Sequence, residues 1–152
     1  MITPELCRTV LEQARQSPRR RMNFNFHPSL DANPHRFLNV MLRGTYIAPH
    51  RHLEPPKSES FLAIEGQVAF FIFDGAGKIE ARHVLGGEGA LGIDIAPGVW
   101  HTLAVLTDHA ICYEVKPGPY APASDKSFAP WAPREGDPAA ERYLESLLRS
   151  PA

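Results

Sequence analysis

Cysteine is scarce in this sequence. Cys7 and Cys112 are the two present among 152 residues, too few and too far apart for a disulfide framework or a zinc-knuckle spacing, which points to a reducing, cytoplasmic setting. An excess of charge is also missing. The formal net charge is -1, so no chain-wide field attracts nucleic acid or an anionic membrane, and Arg19, Arg20 and Arg21 form the one basic run. Long apolar stretches are absent as well: no run approaches the ~20 residues of a membrane span, and the opening MITPELCRTVLEQARQ is polar where a secretory signal needs a basic start and an apolar stretch. The partner that remains is a small molecule.

Proline, by contrast, is abundant: 15 residues, about twice the usual ~5%, favour turns and sheet edges. A chain of this length forms one domain that buries about 70% of its unfolded surface. Thr3 and Pro4 start an amphipathic helix within residues 1–18, and Asp137 and Pro138 repeat that signal for a helix over 137–149. Between them lie nine apolar runs of strand length: MNFNF, RFLNVML, GTYIAPHRH, SFLAIEG, QVAFFIF, KIEARHVL, ALGIDIA, WHTLAVL and AICYEVK. Their spacing predicts a mainly β, antiparallel sandwich or barrel over 21–116, with a hairpin at Asp74, Gly75 and Gly77. Residues 117–136 are too rich in proline and glycine for regular structure, and are expected to form an arm pinned to the outer sheet by aromatic anchors such as Trp131 and Tyr120.

Chemistry concentrates in GTYIAPHRHLEPPKSESFLAIEG. His50 and His52 alternate on one strand face, and a return strand after Leu53 to Ser58 is expected to bring Glu59 across from them, while the Pro97-Gly98 turn opens a strand carrying His101 from elsewhere in the sheet. Histidines and a carboxylate converging on one point suit a divalent transition metal such as Zn, Fe, Ni or Mn, with open positions for a small anionic or oxygen-rich ligand. Glu54 is the rival carboxylate, but Pro55 and Pro56 end the strand beside it. Tyr46 and Lys57 are the candidates for proton transfer. Tyr46, Phe61 and Val99 have the parity of pocket walls, and Asn23 and Asn25 alternate on MNFNF as pocket or edge hydrogen-bonding groups. His27, His35, His83 and His109 are expected at the surface, and Arg19 to Arg21 at the end of the first helix, where its dipole favours cations.

These residues resemble the cupin family. Gly44, five residues, His50-X-His52, a gap, Glu59, six residues and Gly66 follow its first motif, with a longer gap than usual before Glu59. The second motif is kept at Gly98 and His101 but departs at Pro97 and Val105. The resemblance implies a jelly-roll barrel whose metal is held by His50, His52, Glu59 and His101. SPRRRMNFNFH, GTYIAPHRH, PGVWHTL, YEVKPGPYAP and KSFAPWAPREGDP are similar to the WbuC family of bacterial cupin metalloproteins, associated with surface-polysaccharide gene sets. That resemblance implies a fold and a metal more than a reaction; from the site itself the expectation is a metal-dependent enzyme, an isomerase, epimerase or dioxygenase, acting on a small oxygen-rich metabolite such as a sugar or sugar-nucleotide derivative. The alternatives are a ligand-binding barrel without turnover and a purely structural metal. By analogy with such barrels, a homodimer is expected.

Overall fold

The computed structural model describes residues 1–122 and 125–150. The first helix, α1 (Pro4–Gln16), begins as its sequence predicts. The Thr3 hydroxyl accepts from the Leu6 N–H at 3.2 Å, and Pro4 sits where a missing N–H leaves nothing unpaired. All nine apolar runs contribute strands: β1 (Arg21–Asn25), β2 (His35–Leu42), β3 (His50–Arg51), β4 (Glu59–Glu65), β5 (Val68–Phe73), β6 (Ile79–Leu85), β7 (Gly92–Ile95), β8 (Trp100–Val105) and β9 (His109–Lys116). GTYIAPHRH yields only the two residues of β3, since Pro49, just before it, has no N–H to give a ladder.

Two differences lie near the C-terminus. The arm expected to be irregular contains a short strand, β10 (Ser127–Phe128), paired to β3, while its residues 123 and 124 lie outside the described residues. The second helix, α2 (Ala140–Arg149), starts later than its Asp-Pro signal, because Asp137 Oδ1 accepts from the Ala139 N–H at 2.8 Å and closes a turn ahead of the helix.

The strands form two five-stranded antiparallel sheets, β1-β2-β9-β4-β7 and β10-β3-β8-β5-β6. Between them Met41, Phe61, Val68, Phe70, Leu85, Leu103 and Cys112 form the main core. The outer face of the first sheet is covered by α1, through Val10, Leu11 and Ala14 against Leu38, Val40 and Ile111; the outer face of the second is covered by α2, through Leu144 and Leu147 with Ala69, Phe71 and Ala104. Trp131 packs on this second outer face, 5.0 Å from Phe73 and 6.2 Å from Trp100, as an anchor of the arm. Among the described residues no helix is long and apolar enough to cross a membrane.

The interior changes character along the strands. Leu103, Val105, Ala110, Cys112 and Met41 fill one end, whereas His101, Glu114, Lys116, Asn39 and Glu59, further along the same strands, make the other end a buried polar chamber.

The turn between β4 and β5 depends on Gly66. Its φ is +73° and a Cβ there would lie 2.2 Å from the His109 carbonyl oxygen. Gly66→Ala is therefore expected to lower unfolding free energy by roughly 1–3 kcal/mol in a denaturant titration. Gly75→Ala, where a Cβ meets nothing within 4 Å, should stay within about 0.5 kcal/mol of wild type.

Candidate metal centre

One nitrogen of each of His50, His52 and His101 and one oxygen of Glu59 lie within 4.8 Å of one another, and all four side chains are buried. An ion bound at 2.0–2.2 Å from each donor would allow a greatest donor separation of about 4.4 Å, so slight ring rotations suffice to close the set.

The backbone brings these donors together by a route that differs from the expected hairpin. His50 and His101 are direct cross-strand partners in the β3·β8 ladder, so His101 comes from the neighbouring strand. Glu59 comes from the other sheet: β4 pairs with β7 and β9 and not with β3. Pro55 and Pro56 take the chain out of one sheet and into the next, and a Leu53–Pro56 bridge closes that turn. The Gly98 N–H donates to the His52 carbonyl at 2.9 Å, which ties the turn before β8 to the histidine segment. Glu54 is exposed in the turn, away from the cluster.

Each imidazole is oriented from behind. Nδ1 of His50 donates to the Ala48 carbonyl at 3.0 Å, Nδ1 of His101 to the Val99 carbonyl at 2.9 Å, and Nδ1 of His52 to the Asp125 carbonyl. A carbonyl only accepts, so each Nδ1 carries a proton, and in the neutral ring Nε2 then presents its lone pair. Two of these Nε2 atoms face the same carboxylate, that of His101 in hydrogen-bond contact at 2.9 Å from Glu59 Oε2 and that of His52 at 3.1 Å from Oε1. His52 Nε2 has no hydrogen-bond alignment with any partner. Lone pairs in this opposition need positive charge between them, either a proton on Nε2 or, in its place, a divalent cation. Burial, with Lys126 and His101 adding to it, holds His50 well below the usual histidine range and hence neutral. Burial alone would raise the Glu59 carboxyl, but hydrogen bonds from His101 and His52 when Nε2 carries a proton, together with the Lys116 ammonium, hold it well below the usual carboxylate range. A neutral His50 and an ionised Glu59 are the forms that a transition metal binds.

Behind the donors lies a charged layer. Lys116 Nζ is 3.3 Å from Glu59 Oε1 and 3.2 Å from Asp125 Oδ2, and Lys57 Nζ is 2.8 Å from Asp125 Oδ1 and 2.6 Å from the Pro119 carbonyl. Two ammonium groups thus balance two carboxylates. Glu114 would be a third. Burial first, and the charge of Glu59 second, raise it to about 8. Its Oε2 accepts from Asn39 Nδ2 at 3.0 Å.

The two proton-transfer candidates occupy other places. Tyr46 donates to the Pro133 carbonyl at 2.7 Å in the cluster beneath α2, because the chain at 45–49 is not a regular strand and does not keep the parity of His50. Burial raises its phenol, and nothing beside it lowers it. Lys57 is locked to Asp125 behind His52. Phe61 does border a small cavity of about 30 Å³ at the donors, together with Asn39, Ile47 and Glu114. That cavity adjoins a cleft of about 820 Å³ lined by Asn23 and Asn25, among others. Val99 packs against the main core beside it.

Other expectations need correction. His27 and His35 are buried and stacked at 4.0 Å on the cleft wall, with His27 Nδ1 accepting from the Arg36 N–H, because the hairpin ends that carry them close together. Arg21 does not serve the helix end; it forms a two-point contact with Glu135 of the arm at 2.6 and 2.7 Å. Tyr120 lines the cleft instead of pinning the arm to the outer sheet. Lys116, Asp125, Glu114 and Asn39 were not singled out by sequence, though AICYEVK carries a signal: Glu114 and Lys116 share the parity of buried Ala110 and Cys112.

Residues 2–85 match the profile of a family described as a domain of unknown function, DUF6016, a span that includes three of the four donors and ends before His101. No curated protein matches the sequence. Among solved structures, the capsular polysaccharide assembling protein CapF from Staphylococcus aureus aligns with a TM-score of 0.57 and 20% identity over 70% of this chain and 31% of its own. An oxalate oxidase in complex with the substrate analogue glycolate aligns at 0.55 and 15% identity, covering 75% of this chain and 57% of that one. A DMSP lyase structure aligns at 0.53 and 17% identity, covering 72% and 52%. The chain spans less than a third of the CapF chain. At these identities the likeness is one of fold, and the fold is the cupin double sheet.

The raised Glu114 carboxyl makes stability depend on pH in a definite direction. A group whose folded value lies above its unfolded one, about 4.3, contributes stability that is complete below the unfolded value and is lost as pH rises through about 8. In chelator-treated protein, the gain in Tm of Glu114→Gln over wild type is therefore expected to be larger at pH 9 than at pH 5. An equal difference at both pH values would show that Glu114 is ionised throughout.

Proposed function

The chain belongs to the family described as a domain of unknown function, DUF6016, and from its converging donors we propose that it is a metal-dependent enzyme acting on a small oxygen-rich metabolite. The observation that carries this reading is the convergence of one donor atom from each of His50, His52, Glu59 and His101 within 4.8 Å in a buried chamber. His50, His52, Glu59 and His101 would hold one divalent transition metal, which when bound acts as a Lewis acid on ligand oxygens. The cavity of about 30 Å³ beside the donors leaves room for such an oxygen and leads to the larger cleft, which supports a working site over a closed structural one.

Glu114 is the group suited to proton transfer. It borders both the cavity and the cleft and is raised to about 8; a cation at the donors draws it back towards neutrality, where a carboxyl both gives and takes protons. This supports isomerisation or epimerisation over oxygen-dependent cleavage. Asn39 orients the Glu114 carboxyl through its amide. The resemblance to the WbuC family, together with the alignment to a capsular polysaccharide assembling protein, supports a sugar or sugar-nucleotide derivative of surface-polysaccharide synthesis as the substrate.

Elemental analysis of protein purified without added metal tests the centre. Wild type is expected to carry near-stoichiometric metal, and His52→Ala, Glu59→Ala and His101→Ala at least about tenfold less, consistent with the loss expected when a ligand is removed. A wild-type chain that stays metal-free after reconstitution would rule the reading out.

A further inference from the structure

The cations around the cleft fall into two sets. Arg19 and Arg21 are committed to Glu135, and Lys116 to Glu59 and Asp125. Lys126 and Arg134 are different: both line the cleft, and among the described residues neither has a carboxylate partner. Arg134 is exposed, with its guanidinium 4.3 Å over the ring of Phe128. Phe128 is the cross-strand partner of His50, their rings 6.2 Å apart, so this edge of the cleft adjoins the donor strand. Lys126 lies where the donor cavity opens into the cleft, bordering both. It is half-buried, and burial lowers its ammonium while Glu59 and Glu114 oppose the change. An unpaired, partly desolvated ammonium gains free energy when an anion reaches it.

The wall between has matching chemistry. Asn39 is buried, its Nδ2 given to Glu114, and its Oδ1 has no partner. Asn23 is its cross-strand neighbour and Asn25 continues the row along the cleft. Amides in a row suit several hydroxyls. The volume of about 820 Å³ lies towards the top of the roughly 300–1,000 Å³ of small-molecule sites and exceeds the needs of a two-carbon acid.

We propose that Lys126 and Arg134 form a distal anion subsite, so that the ligand is a polyhydroxylated molecule carrying a phosphate or carboxylate beyond the oxygens that face the donor cluster. Only the proximal end of this assignment rests on the metal-centre reading.

Calorimetric titration of metal-loaded protein tests it, with 3-phosphoglycerate and 6-phosphogluconate set beside glycerate and gluconate. At least one phosphorylated acid is expected to bind about tenfold or more tightly than its parent, as one added charge-assisted contact implies. In the double variant Lys126→Met, Arg134→Gln that advantage should fall below about threefold, with metal content unchanged. Arg134 is exposed, so Arg134→Gln alone carries the test, with a loss of about threefold or more, should the double variant not fold. Glucarate that gains about tenfold over gluconate, while the phosphorylated acids do not, assigns the subsite to carboxylates. Should wild type hold no metal, saturable binding of inorganic phosphate that the double variant loses still supports the subsite. No advantage for any acid with a second charge, or an advantage that both variants retain, overturns it.

Discussion

A carboxylate enclosed in an apolar barrel must be compensated, and the rest of the site follows from how Glu59 is. Its oxygens face the Nε2 atoms of His52 and His101 and one ammonium, with Asp125 and Lys57 continuing the alternation of charge behind them. Removing one member of such a set leaves a buried charge uncompensated, at a cost of roughly 3–5 kcal/mol. The network thus holds the donors in one arrangement, and the apolar end of the core has no part in it.

The double sheet is well suited to this division. Side chains alternate across each strand, so the inward residues of β2, β4, β8 and β9 form short columns that pass from apolar to polar along their length. The helices cover the outer faces, α1 on one sheet and α2 on the other, leaving one end of the interior free to carry charge. The arm closes this end with contributions the strands do not make: the Asp125 carbonyl that orients His52, the Asp125 carboxylate between two lysines, and β10 beside the histidine strand.

Much of this was legible in sequence because it depends on local signals. Strand alternation, Gly and Pro turns and the Thr3-Pro4 start each act over a few residues, and the spacing of His50, His52, Glu59 and His101 was enough to nominate the donors. The failures occurred where the partner is distant in the chain. Lys116 meets Asp125 and Glu59 only after the sheets close, Arg21 finds Glu135 on the arm, and His27 lies on His35 across a hairpin. Tyr46 illustrates the limit of parity counting: an alternation extrapolated back from His50 fails once Pro49 interrupts the strand. The hairpin expected to join Glu59 to the histidines failed for a related reason, since two prolines redirect the chain to the opposite sheet.

That redirection has a mechanical consequence. Three donors belong to one sheet and its margin, and the fourth to the other, so an ion among them works as a clasp between the two layers. Occupancy and cohesion are then one equilibrium: any ion that binds the closed layers and not the parted ones adds its binding free energy to the stability of the fold, in proportion to the logarithm of its concentration over its Kd. The polar end of the sandwich, where apolar packing is thinnest, gains most of that cohesion. Metal supply would thereby govern how long the protein persists as well as its chemistry.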